Sequence, residues 1–250
     1  MSVEAVVSTI ADGNMHYVLE AAAGQKDGDA DLCLAKFGWS HGIDTELCAR
    51  IQPFAPYFGD GTGGAVDTGF IEDITPEKEL QLKTSGAILP KTLGCLATSG
   101  DCYTMLVQGS EHYAFGHTGW VEIEEGLVPV MVRKMRDLGY ATSDLQGWIG
   151  PGIAQESYSL LTSRVMQLQR GNADFWKRHA RFSSDHERVF LDLLGGLTEQ
   201  AVESGIPLAN IEVDGRDTFV NPELFSRRAS QSVTDPKPRG NHAIVVIPEF

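Results

Sequence analysis

Thr98-Ser-Gly-Asp-Cys-Tyr-Thr-Met-Leu-Val-Gln-Gly-Ser-Glu-His-Tyr-Ala-Phe-Gly-His-Thr-Gly-Trp120 reads as two strands joined by a turn. Tyr103 to Gln108 is rich in apolar and β-branched residues, and Gly109-Ser110 is the Gly-X signal of a two-residue type II′ turn. His112 to His117 is the return strand, with Tyr113, Phe115 and His117 on one face and His112, Ala114 and Gly116 on the other. If Gln108 pairs with Glu111, Cys102 stands directly opposite His117, with Cβ atoms about 4.5–5.5 Å apart. That spacing suits a thiolate–imidazole pair or two ligands of one metal ion. A bulge would shift the register by one residue and turn Cys102 to the other face. Singly, a strand cysteine is usually a small buried hydrophobe, and a histidine at a strand end a hydrogen-bonded structural residue. The two in register favour a functional pair.

Working outward, the rest of the chain sets bounds. Its 250 residues, 42% hydrophobic and 22% charged, suffice for a sizeable core in one domain or two. A net charge of −14 argues against nucleic acid and anionic membrane surfaces as partners. Cys33, Cys48, Cys95 and Cys102 are scattered without a CxxC, which suits a reducing compartment better than a disulfide framework. The start, Met-Ser-Val-Glu-Ala-Val-Val, has no basic region of a secretion signal, and no apolar run reaches the roughly 18 residues of a membrane span. A cytoplasmic protein is expected.

Before the hairpin the chain reads mostly as strands: Val3 to Ile10, His16 to Leu19, Leu32 to Trp39 and Thr92 to Ala97. Asp44 to Ile51 reads as a short helix with Asp44 as N-cap, and Thr75-Pro-Glu-Lys as a helix start. Gly59-Asp-Gly-Thr-Gly-Gly lacks the Lys-Ser/Thr of a phosphate loop and reads as a flexible connection. After the hairpin, Leu127, Met131, Met135 and Leu138 form one helical stripe stopped by Gly139. Leu145 to Ile149 is a strand, Glu156 to Arg170 a helix, and Asp192 to Ser204 a helix stopped by Gly205. Ile211 to Val213 and Ala243 to Ile247 are strands, with a turn and short helix at Asn221 to Arg228. No linker or internal repeat separates two cores, so one α+β domain over residues 1–250 is expected.

Several fragments then line up in order: Ser99-Gly100-Asp101-Cys102, Gly116-His117-Thr118-Gly119-Trp120, Gly150-Pro151-Gly152-Ile153-Ala154 with Tyr158 after it, Leu191-Asp192-Leu193, and Asn221-Pro222 with Phe225-Ser226-Arg227-Arg228. The set resembles the YfiH-like laccase-domain family, first described as multicopper polyphenol oxidases and associated with purine nucleoside phosphorolysis and adenosine deamination. The resemblance covers residues 80–250 well and the first 80 in outline. It implies a single laccase-like domain over 1–250, folded as a four-layer α/β/β/α sandwich. It also implies zinc or copper as cofactor, with Cys102 and His117 as metal ligands. The family's third ligand is a histidine in an Asn-Gln-Val-His-Gly motif. The nearest match here, Pro56-Tyr57-Phe58-Gly59, puts Phe58 at that position. His41, His16 or Asp101 could supply the missing ligand. The family's Cys-Thr appears as Asp217-Thr218, and the basic residue after its His-Ala-Gly-Trp is Val121.

Three functions follow. The first is a metalloenzyme whose substrates are a nucleoside and phosphate. Catalysis then falls to Cys102, His117 and Asp101, the last as proton acceptor or partner of a ligand. Arg228 and Arg227 hold an oxyanion, as guanidinium groups do well, and Gly150 and Gly152 let backbone approach the substrate. The second is a metal-free Cys–His hydrolase or amidase, with Cys102 as nucleophile and His117 as base. The third is a non-catalytic ligand-binding descendant. Each residue also has a plainer role: Asp101 as a turn aspartate, the arginines as a solvated pair, the glycines as a turn.

Overall fold

The computed structural model describes residues 4–5, 48–51, 81–82, 85–163, 165, 173–234, 236–237 and 242–247. Thirteen strands fall among them, numbered in chain order. One five-stranded sheet runs Glu4–Ala5 (β1), His242–Ile247 (β13), Gly94–Ser99 (β5), Cys48–Ile51 (β2) and Gln81–Leu82 (β3). A second runs Ile211–Val213 (β12), Gln146–Ile149 (β8), Tyr103–Gln108 (β6), His112–Thr118 (β7) and Gly86–Pro90 (β4). Ala180–Phe182 (β10), Arg188–Leu191 (β11) and Ser159–Leu161 (β9) form a third, small sheet. The helices are Trp120–Glu124 (α1), Leu127–Asp137 (α2), Ala173–Arg178 (α3) and Leu193–Glu203 (α4).

Alternation along the central hairpin sorts side chains between two cores. Tyr103, Met105 and Val107 of β6 and Ala114 of β7 pack with Ile123, Leu127, Met131, Met135, Leu193 and Leu197 from the helices. Leu106, Tyr113 and Phe115 point the other way, toward Cys95, Ala97, Ile244 and Val246 of the first sheet. The second sheet is therefore covered on both faces, by helices and by the other sheet. The mixed α+β architecture is as expected. The expected fourth layer of the sandwich falls on residues outside the described ones.

The stripe that predicts α2 works as read: Leu127, Met131 and Met135 are fully buried. Leu138 is the exception, 44% exposed, because the helix is already ending there. Gly139 sits at φ +95°, a left-handed position that suits glycine, and the Tyr140 amide donates to Met135 O at 3.2 Å. At the start of α4, Asp192 caps by accepting from the Gly195 amide at 2.8 Å.

Three expectations are corrected. The last four residues of the helix expected over Asp44 to Ile51 are β2, held parallel between β5 and β3; pairing outweighs the local capping signal. The helix expected over Glu156 to Arg170 contains β9, because Leu160 is buried opposite Val189 and Leu161 faces solvent. Of that span, only 162, 163 and 165 are helical among the described residues.

The third correction is the hairpin register. The first pair beyond the turn is Gln108 with Tyr113, so four residues separate the first paired positions, not two. Tyr140 explains the longer loop: its hydroxyl accepts from the amides of Glu111 and His112, both at 3.1 Å, and its ring fills the space beside Gly109. Thr104, not Cys102, therefore stands opposite His117. The slip is two residues. An even slip keeps every strand side chain on its face, and Cys102, in the bend before β6, has its sulfur turned toward Gly119, two residues beyond His117.

No helix among the described residues is long and apolar enough to cross a membrane. The regions around His16, His41, Phe58, Gly59 and Thr75, and the expected Leu32 to Trp39 strand, lie outside the described residues.

Candidate functional site

The open end of the hairpin, between the two large sheets, gathers the groups that carry chemistry. Cys102 occupies the bend before β6 and is a free thiol. Its Sγ comes within 3.0 Å of where a Cβ on Gly119 would stand, so glycine is what lets the sulfur in. His117 is anchored through its amide, which donates to Ser85 O at 2.8 Å. Its Nδ1 is buried and has no hydrogen-bond partner among the described residues.

Glu122 joins them, a residue the sequence reading missed. Its Oε2 accepts from the Gly119 amide at 3.0 Å and its Oε1 from the Ser85 hydroxyl at 3.2 Å. Oε1 lies 3.9 Å from His117 Nδ1. The signal was present: Gly119-Trp-Val-Glu122 spaces a helix N-cap and a glutamate as in a capping box.

The field of the site follows. Burial pushes the Cys102 thiol well above its usual range; the negative charges of Glu122 and Asp101 push further, and Arg227 opposes them. Burial lowers the His117 pKa, against the pull of Glu122, which favours the neutral imidazole. A metal-free nucleophilic cysteine requires the reverse, a depressed thiol pKa. A neutral imidazole and a sulfur are the donor types that zinc and copper take.

Asp101 is committed elsewhere. It is nearly buried, and its Oδ1 accepts from the hydroxyls of Thr218 at 3.1 Å and Ser226 at 2.6 Å, while Oδ2 accepts from the Arg228 amide at 2.8 Å. The carboxylate thereby ties the 218–228 segment to the hairpin. Arg228 is brought beside the site: its Nη1 donates to Ser159 O at 2.9 Å, and its guanidinium lies 5.0 Å from the centre of the Tyr158 ring. Tyr158 feels both Cys102 and Arg228, and burial raises its hydroxyl pKa. Asp217 accepts from the Ala154 amide and the Ser157 hydroxyl at 3.1 and 2.7 Å.

Gly150 and Gly152 have protein, not open space, above them. A Cβ on Gly150 would meet Thr104 Oγ1 at 2.5 Å, and one on Gly152 the Tyr103 ring at 2.5 Å. Their smallness closes the 150–152 turn onto β6.

Among the described residues, no three His, Cys, Asp or Glu side chains are grouped to hold a metal ion. Cys102 and His117 with its unpartnered nitrogen fit two places of a coordination shell, one fewer protein ligand than a catalytic zinc uses.

A family model described as multi-copper polyphenol oxidoreductase laccase matches residues 82–247. YfiH of Bacillus licheniformis, titled a hypothetical protein, is similar in structure, with a TM-score of 0.73 and 16% identity over 94% of this chain and 85% of that one. YlmD of Geobacillus stearothermophilus gives a TM-score of 0.68 and 17% identity over the same shares. At these identities the likeness is one of fold. No curated protein matches. The family model covers well over half of the 250 residues and both Cys102 and His117, so the chain belongs to the multi-copper polyphenol oxidoreductase laccase family.

Proposed function

We propose that this protein is a metalloenzyme acting on purine nucleosides, by phosphorolysis or by deamination of adenosine, and that its metal binding is weakened. One observation carries the reading: at the open end of the hairpin the buried His117 imidazole has an unpartnered Nδ1 among the described residues, and a cysteine sulfur lies beside Gly119, two residues along the chain. Cys102 and His117 would hold a zinc or copper ion, which when bound supplies Lewis-acid polarisation or an activated water. The remaining roles belong to the chain's own groups. Asp101 orients the backbone at Arg228. Arg228 has five N–H donors, more than the Ser159 carbonyl and the Tyr158 hydroxyl use, and with Arg227 it can receive a phosphate or ribose oxygen.

Phe58 at the place of the family's first histidine is the reason for weakened binding. Changes around the ligands alone cost about 10- to 100-fold in affinity, and loss of a ligand costs at least as much. The test is metal content by elemental analysis, together with turnover of inosine and adenosine in phosphate, followed by chromatography. Wild type is expected to purify with well under one metal ion per chain. Phe58→His should raise that content, and adding Cys102→Ala should abolish the gain. Stoichiometric metal that survives Cys102→Ala, or no turnover of either nucleoside by wild type and Phe58→His supplied with zinc or copper, would sink the reading.

A further inference from the structure

Hydrogen bonds close a ring beside the His117 imidazole. The His117 amide donates to Ser85 O, the Ser85 hydroxyl to Glu122 Oε1, and the Gly119 amide to Glu122 Oε2. Oε1 is left facing Nδ1 at 3.9 Å, with both side chains 12% exposed. A helix-capping role accounts for the Gly119 contact. It does not account for the other oxygen, which is turned to Ser85 and His117.

We infer that Glu122 is a positioning residue for His117: its carboxylate, fixed by Ser85 and the Gly119 amide, directs a ring N–H at Nδ1 toward itself and leaves Nε2 as the nitrogen with a free lone pair. An ionised carboxylate is acceptor-only, so an N–H directed at it is attracted and a lone pair is repelled. Low local polarity enlarges that difference. Which nitrogen of a histidine can bind metal or take a proton is set by what the other faces. The inference rests on the proposed function only for what Nε2 then serves; the tautomer itself belongs to the metal-free protein.

Glutamine is as good as glutamate at this capping position, so Glu122→Gln isolates the charge. The Gly119 amide can only donate, so it holds the carbonyl end of the new side chain. The NH2 end then faces Ser85 and His117, and the ring should respond by moving its proton to Nε2. The measurement is long-range 1H–15N correlation on chelator-treated full-length protein carrying 15N-histidine, at mildly alkaline pH, with His117→Ala assigning the signals. Wild type should show the Nδ1–H form and Glu122→Gln the Nε2–H form. Zinc affinity should fall about 10- to 100-fold in the same variant. A wild-type ring protonated on Nε2, or on both nitrogens, overturns the inference; so does an unchanged tautomer in Glu122→Gln. If that variant does not fold, the wild-type spectrum still decides, beside Ser85→Ala, which keeps the carboxylate and should keep Nδ1–H. Loss of Nδ1–H in Ser85→Ala would move the role to Ser85. A correct tautomer in a protein without metal or nucleoside activity would remove the proposed function and leave this inference standing.

Discussion

His117 ties ionisation to folding. Its folded pKa lies below the ordinary 6.5, with burial as the first cause. Below that value the unfolded chain takes a proton that the folded chain refuses, so the unfolded state binds more protons and stability falls as pH drops. Above it the residue contributes no slope. Urea unfolding of metal-free protein between about pH 7.5 and 5.5 should show stability lost toward acid, by up to about 1.4 kcal/mol per pH unit from this residue. His117→Gln should flatten that part of the curve, and an unchanged slope would mean that other groups carry it. Legibility at this scale was uneven. That Cys102 and His117 come to the same end of the hairpin could be read because strand alternation is a strict rule, whereas of Glu122 only the capping spacing could, because its approach to His117 depends on a short helix that folds back toward β4. The partners of Asp101 at Thr218, Ser226 and Arg228 are set by long-range closure, which no local pattern records.

Among the elements, α2 and α4 were legible from apolar period and terminal glycines, and β6, β8 and β12 from their apolar runs. The three-residue strand β9 was not, because Leu161, Val165 and Leu168 offer a competing helical spacing that so little alternation does not oppose. The hairpin shows why turn chemistry alone misplaces a register. Gly109-Ser110 favours a two-residue turn, but Tyr140, delivered from the end of α2, takes two amides and stabilises four. Tyr140→Phe removes an acceptor from both amides and should cost about 1 kcal/mol in urea unfolding. Faster exchange should appear at the Glu111 and His112 amides, with the β6–β7 pairing otherwise retained. Normal protection at those two amides would show that water or another group replaces the hydroxyl.

Across the whole molecule, two five-stranded sheets share one core, and the site lies at an edge of that core where Ser99, Thr104 and His117 interrupt the apolar packing. The excess of 34 acidic over 20 basic residues leaves few patches able to neutralise phosphates on a duplex. The protein should pass through a duplex DNA column at physiological salt without delay, and salt-dependent retention would contradict this. The Asp101 bonds to Ser226 and Arg228 bridge 125 and 127 positions of sequence, and β13 enters the first sheet between β1 and β5. Contacts of such separation are slow to form, because the loop they close must lose its freedom first. On a ribosome, the hairpin can emerge and pair long before residue 228 exists. The nascent chain therefore carries Cys102 without the Asp101 anchor closed, and metal or oxidant that meets the thiol then does so before the site is finished.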